Sequence, residues 1–194
     1  MKFEFVDVRR AYFHAKARRE VYVKLPPEDD MPGMCGKLNK NMYGTRDAAQ
    51  NWEFECTEFL KGCGFKRGSA MPCLFNHASR MLKVAVHGDD FTILGDELDL
   101  NWFQNQIKKR FEVNVRGRIC PNTNDEKSIR LLNRVFEWTL GGILIETDQR
   151  HAELIAKDMS LTAESKSVRT PGVKVKEEGS LLQAREATIY RANV

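Results

Sequence analysis

Three aspartates carry the chemistry that this chain offers on reading. Asp89 and Asp90 stand side by side within Met81–Leu94, MLKVAVHGDDFTIL, between the apolar runs Met81–Val86 and Phe91–Leu94. Asp7 stands in FEFVDV, residues 3–8, again among apolar β-formers. Aspartate is depleted from strands and costly to bury unpaired, so such a pair needs a cation, water or a local turn. Taken alone, Asp89-Asp90 reads as an ordinary Asx-type turn. Asp7 changes that. If its strand lies beside the hairpin, the three carboxylates converge at one sheet edge and require a counter-charge. A hard divalent ion, Mg²⁺ first and Mn²⁺ second, supplies it. Two such ions about 4 Å apart activate an attacking hydroxyl and stabilise a leaving oxygen in phosphoryl transfer.

The elements that must position these residues follow from hydrophobic periodicity. FEFVDV reads as a strand and Ala11–Ala15 as a turn or short helix. EVYVKL, Glu20–Leu25, reads as a second strand, stopped by Pro26-Pro27 and the acidic loop Glu28-Asp29-Asp30. A helix is expected from about Asp47 to Gly62, with Ala48, Trp52, Cys56, Phe59, Leu60 and Cys63 on its buried face. The hairpin around His87-Gly88-Asp89-Asp90 comes next. A second amphipathic helix, Asp99–Phe111, carries Leu100, Phe103, Ile107 and Phe111 on one stripe. Cys120–Lys127 reads as a polar loop, and Val135–Trp138 with Ile143–Glu146 as a hairpin around Gly141-Gly142. A third helix, about Gln149–Met159, is expected to turn Leu154 and Ile155 inward. From Thr162 the composition shifts to a charged tail with a linker-like Lys174–Ser180. Helices gathered on one face of an antiparallel sheet, an α+β fold, is the natural solution.

Composition bounds the function classes. The 194 residues suffice for one domain with a core and an appendage. With 42% apolar and 30% charged residues, the chain reads as soluble and globular. A net charge of +4 from 31 basic and 27 acidic residues permits a nucleic-acid partner without arguing for one. Basic residues cluster at Arg9-Arg10 with Lys16, Arg18 and Arg19, at Lys108-Lys109-Arg110, and at Arg116 and Arg118; solvated surface is the plain explanation of each. The five cysteines contain no C-x-x-C pair and read as reduced, packing thiols of an intracellular protein. No apolar run reaches membrane-span length and no signal-peptide pattern opens the chain, so no membrane partner is expected.

The ordered series VDVRRAYFHA, VYVKLPPE, LNKNMYGTRDAAQNWEFECTEFLKGCGFKRGSAMPCLF and VAVHGDDFTILG resembles the polymerase core of reverse transcriptases. It is most similar to that of Ty1/copia-type long-terminal-repeat retrotransposons. The resemblance runs from Phe3 to about Gly172, with Arg169-Thr170-Pro171-Gly172 fitting as well. It implies a polymerase palm with a partial thumb over residues 1–160 and, in 186–194, EATIYRANV, the start of the segment that leads to ribonuclease H; the composition of 161–185 between them reads as a linker. Because the chain opens within the first strand, most of the fingers is expected to be missing.

By resemblance Asp7 falls on the first catalytic aspartate, and Asp89 and Asp90 on the paired ones. Asp7 and Asp89 are then the ligands of both Mg²⁺ ions, Mn²⁺ being the alternative, and Asp90 tunes the site. Tyr12 matches the aromatic gate beneath the deoxyribose, though a core aromatic is its plain reading. Gly44 and the helix after it match the motif that contacts template and nucleotide; Trp52 fits that motif too, with core packing the reading its spacing favours. His87 and Gly88 stand at the primer terminus, where the family usually has Tyr-x, and Asp47 stands where Gln is common. Val135–Glu146 resembles the hairpin that grips the primer. The implied reaction is RNA-directed DNA synthesis on an RNA template and DNA primer duplex with dNTPs, beside the integrase and ribonuclease H of a Pol polyprotein. Its expected setting is cytoplasmic, in a virus-like particle, or nuclear. Two rival readings stand beside it: an inactive remnant that at most binds nucleic acid, and an unrelated palm enzyme such as a nucleotidyl cyclase.

Overall fold

A computed structural model describes residues 1–120, 125–147 and 149–166. In chain order the elements are β1 (Lys2–Val8), α1 (Ala11–His14), β2 (Tyr22–Val23), β3 (Gly36–Lys37), α2 (Ala48–Gly62), β4 (Lys66–Arg67) and β5 (Leu74–His77). After a 3₁₀ turn at Ala78–Arg80 come β6 (Leu82–His87), β7 (Asp90–Gly95), α3 (Glu97–Arg110) and β8 (Val113–Ile119). The chain continues with β9 (Ser128–Leu131), β10 (Arg134–Thr139), β11 (Gly142–Thr147) and α4 (Gln149–Asp158). It divides into two compact units, Met1–Ile129 with Glu137–Ile143, and Arg130–Phe136 with Leu144–Val194.

The first unit is built on a six-stranded antiparallel sheet in the order β4-β5-β6-β7-β1-β8. Strand alternation decides its two faces. Val6 and Val8 of β1, Phe91 and Ile93 of β7, and Leu82 and Val84 of β6 bury into one core with Trp52, Cys56 and Leu60 of α2 and Leu100, Phe103 and Ile107 of α3. The stripes expected on both helices are the ones they bury, with Phe59 and Cys63 only partly covered. Phe3, Phe5 and Asp7 alternate onto the opposite face.

Several elements differ from the sequence expectation. Glu20–Leu25 pairs only through Tyr22 and Val23, in a two-stranded ribbon with Gly36 and Lys37. Glu20 instead accepts from Tyr22 and Lys37, and among the described residues no third strand joins the ribbon. Strands β3, β4 and β9 were not foreseen, and neither were β5 and β8. β5 is only four residues long, and β8 carries two arginines among its seven residues. Leu154 of α4 is exposed, not inward, while Ile155 is half-buried. Neighbours on a helix point about 100° apart, so the two cannot share the centre of one narrow face. β9, β10 and β11 form a separate three-stranded sheet that contains the expected hairpin. The linker after Lys166 and the terminal segment lie outside the described residues. None of the described helices is long and apolar enough to cross a membrane.

One carboxyl group sits within the core face of β1. Glu4 is fully buried; its Oε1 accepts hydrogen bonds from Gln104 (2.8 Å) and Arg118 (2.8 Å), while Oε2 has no partner among the described residues. Burial pushes the Glu4 carboxyl up more strongly than Arg118 pulls it down. A carboxyl raised in the folded state contributes stability at low pH that is lost as pH rises through its folded value. The stability of the wild-type chain relative to Glu4→Gln is therefore expected to fall as pH climbs above the ordinary value of 4.5. Thermal unfolding of both proteins between pH 4 and 7 measures this, and a pH-independent difference would count against it.

Thiol burial gives a second expected result. Cys35 and Cys73 are exposed, Cys63 is intermediate, and Cys56 and Cys120 are buried. Desolvation pushes the Cys56 thiol up to about 12 and raises that of Cys63. The thiolate is the reactive form. A disulfide reagent at pH 8 is thus expected to label Cys35 and Cys73 quickly and Cys56 only on denaturation. Mass mapping of the labelled peptides reads the order, which fast labelling of Cys56 would contradict.

Candidate functional site

The sheet register assembles a polar row on the face opposite the helices. His87 of β6 pairs with Asp90 of β7, Asp90 with Asp7 of β1, and Asp7 with Asn114 of β8. Directly opposed residues on one face have Cβ atoms about 5 Å apart, so Asp7 and Asp90 are immediate neighbours. Both are like charges, and their position demands a cation. Arg116 provides one: its Nη2 lies 3.1 Å from Asp7 Oδ1 and 3.2 Å from Asp90 Oδ1. Only the Asp7 contact is aligned as a hydrogen bond, and Asp90 Oδ1 remains a buried oxygen with none. Desolvation first, then the charges of Asp89 and Asp7, push the Asp90 carboxyl up against the pull of Arg116.

Asp89 occupies a different place. β6 and β7 are joined by a two-residue turn, Gly88-Asp89, closed by the His87–Asp90 pair. Gly88 takes φ +61° at the first turn position, the left-handed backbone that a type II′ turn needs there. The Asp89 side chain is exposed, and its backbone carbonyl accepts the Val8 N–H at 2.9 Å. Of the three aspartates, the structure thus brings Asp7 and Asp90 around one cation and leaves Asp89 at the exposed tip. No cluster of three or more His, Cys, Asp or Glu side chains suited to a metal occurs among the described residues. The fit to a divalent ion rests on the pair. Two carboxylate oxygens converge on one cationic nitrogen, and one of them has no hydrogen bond among the described residues; carboxylate oxygen is the donor type that a hard cation takes, with water or substrate oxygens needed to complete its shell.

The remaining residues expected at the site surround this turn. Trp52 is both core and tether: 2% exposed, it donates its indole N–H to the Gly88 carbonyl at 2.7 Å. Its ring packs edge-on to Phe111. Tyr12 is half-buried and lies against Tyr43, ring centroids 4.5 Å apart. Gly44 follows with φ +88° and open space where a Cβ would stand. Desolvation and the nearby Asp89 charge raise the Tyr43 hydroxyl. Asp47 is not a bare carboxylate. Against the upward push of desolvation, a backbone N–H, Arg19 and Asn51 hold it below the usual range.

Sequence reasoning missed Arg116, Asn114 and Tyr43. Arg116 and Arg118 read as solvated surface, yet Arg118 is largely buried against Glu4 and Glu97, and Arg116 sits between two aspartates. The alternation of Val113, Asn114, Val115 and Arg116 was the signal that places the polar pair on one face.

Comparison with known proteins covers most of this region. A family model described as reverse transcriptase (RNA-dependent DNA polymerase) matches residues 2–122. The chain is 22% identical over 171 residues, 86% of its length, to the truncated transposon Ty1-A Gag-Pol polyprotein of Saccharomyces cerevisiae. It is 24% identical over 112 residues, 57% of its length, to the transposon Ty1-DR5 Gag-Pol polyprotein of the same yeast. The matches span only 14% and 6% of those two polyproteins.

Proposed function

The chain belongs to the reverse transcriptase (RNA-dependent DNA polymerase) family, and from that premise we propose that its six-stranded sheet, backed by α2 and α3, is a polymerase palm. β9–β11 are read as the primer-gripping hairpin with the start of the thumb, and the reaction as RNA-directed DNA synthesis of the Ty1/copia type. The observation that carries this reading is the cross-strand pair Asp7–Asp90, held on the open face around a single cation.

In this reading Asp7 and Asp90, with Asp89 at the tip, hold Mg²⁺ or Mn²⁺. When bound, the divalent ion neutralises phosphate charge and activates the primer 3′-hydroxyl. The protein's own contribution is placement. The β1–β7 register holds the two carboxylates side by side, and the turn brings Asp89 to the same end of the sheet. The Trp52 tether fixes Gly88, which adds no side chain near a primer terminus. Tyr12, backed by Tyr43, presents a ring on which a deoxyribose can rest. The Arg19–Asp47 pair removes a repulsion that a free carboxylate would exert on a triphosphate. The partners are an RNA template with its DNA primer, dNTPs, and the remainder of a Pol polyprotein.

The test is primer extension on an RNA template by the purified chain with Mg²⁺ or Mn²⁺. Template-dependent incorporation of dNTPs supports the reading. No incorporation, together with salt-sensitive binding of the duplex, assigns the chain to the inactive nucleic-acid binders instead.

A further inference from the structure

Arg116 reaches the aspartate pair through a defect in the sheet. The β1–β8 ladder pairs Val6 with Val115 and Phe5 with Gly117, so Arg116 has no partner across the ladder. It is the extra residue of a β-bulge, a device that re-aims a side chain near a site. Gly117 completes the bulge at φ +150°, and a Cβ there would lie 3.0 Å from the Glu126 carboxylate. The guanidinium is thus delivered to the point where Asp7 Oδ1 and Asp90 Oδ1 converge. It is not locked there. The Arg116 side chain is 35% exposed against 10% for Asp90, so the arginine has a way out to solvent and the aspartate does not.

We propose that Arg116 is a built-in counter-cation that occupies the divalent-metal position of the metal-free chain, so that metal binding is a displacement of the arginine. The proposal rests on the reading of Asp7 and Asp90 as metal ligands. A divalent ion shared by these two oxygens and a guanidinium nitrogen about 3 Å from both repel each other strongly at such a separation. The two are alternatives, and by linkage each weakens the other. The arginine stabilises the sheet without metal, offsetting cross-strand repulsion between like charges, and lowers the apparent affinity for metal.

The experiment measures Mn²⁺ binding to the full chain from the loss of the free-ion electron paramagnetic resonance signal, and thermal unfolding with and without Mn²⁺. Relative to wild type, Arg116→Gln is expected to bind Mn²⁺ about tenfold more tightly, equivalent to ~1.4 kcal/mol. It is also expected to unfold at lower temperature without metal, with the gap closing as Mn²⁺ is added. Arg116→Lys, which keeps the charge but not the planar fork, falls between them. Asp90→Asn separates the two readings. If Asp90→Asn abolishes binding while Arg116→Gln leaves it no tighter than wild type, the displacement is overturned and the metal site stands. If Mn²⁺ binds equally to wild type and Asp90→Asn, both are overturned.

Discussion

Replacing Asp7 with asparagine is expected to reduce primer extension by at least about three orders of magnitude, with little change in fold. The substitution keeps side-chain size and removes the charge that faces the cation. A metal bound at such a site supplies several kcal/mol of charge stabilisation, and each ~1.4 kcal/mol is a factor of ten in rate. Asp90→Asn is expected to match it, because Asp90 is the cross-strand partner of Asp7 and shares its cation. Asp89→Asn is the informative comparison. Its carboxylate stands exposed at the turn, so a loss equal to that of Asp7→Asn would mean that the tip closes onto the pair when substrate is present. Single-turnover extension at saturating Mg²⁺ measures all three, alongside circular dichroism to show that each variant folds. Extension that survives Asp7→Asn would sink the assignment.

The second large effect concerns the core that holds the strands in register. Phe103→Ala is expected to destabilise the chain by about 3–5 kcal/mol, the range for truncating a buried phenylalanine. Phe103 is fully buried, packing edge-on to Phe65 at 5.3 Å and tilted against Phe59 at 6.3 Å. In a domain of this size each kcal/mol moves the melting temperature by roughly 2–4 °C, so a drop of about 10 °C is expected. Leu98→Ala on the same helix is the control, since Leu98 is 82% exposed and its loss should scarcely register. Thermal denaturation of the two variants decides it. Equal effects would mean that α3 does not pack as described.

How much of this was legible beforehand depends on how far apart the cooperating residues lie. The helix stripes of α2 and α3 are local patterns of three- and four-residue spacing, and they read correctly. The hairpin around Gly88-Asp89 is local too. The neighbourhood of Asp7 and Asp90 is not, since they stand 83 positions apart and only strand pairing unites them. Charge chemistry alone made their convergence only a condition, and the ordered resemblance to reverse transcriptases is what joined them on reading. What the reading could not supply was which cation the chain itself brings. The alternation of Val113 to Arg116 marks the face, but the one-residue register shift that aims Arg116 at the two aspartates leaves no trace of its own in that pattern. Leu154 fails in the opposite way: a short apolar pair mimics a buried stripe without enough residues around it to make one.

The Trp52–Gly88 hydrogen bond joins the turn to the core, and this has a consequence for inheritance. A side chain that is at once wedge and tether makes the geometry of the turn hostage to packing. In a copy of such a sequence drifting without selection, damage need not strike an aspartate to silence the chain. A change anywhere that lets the α2 indole shift also loosens the Gly88 carbonyl it holds. The three carboxylates can therefore persist in the text of a gene long after the scaffold has ceased to aim them.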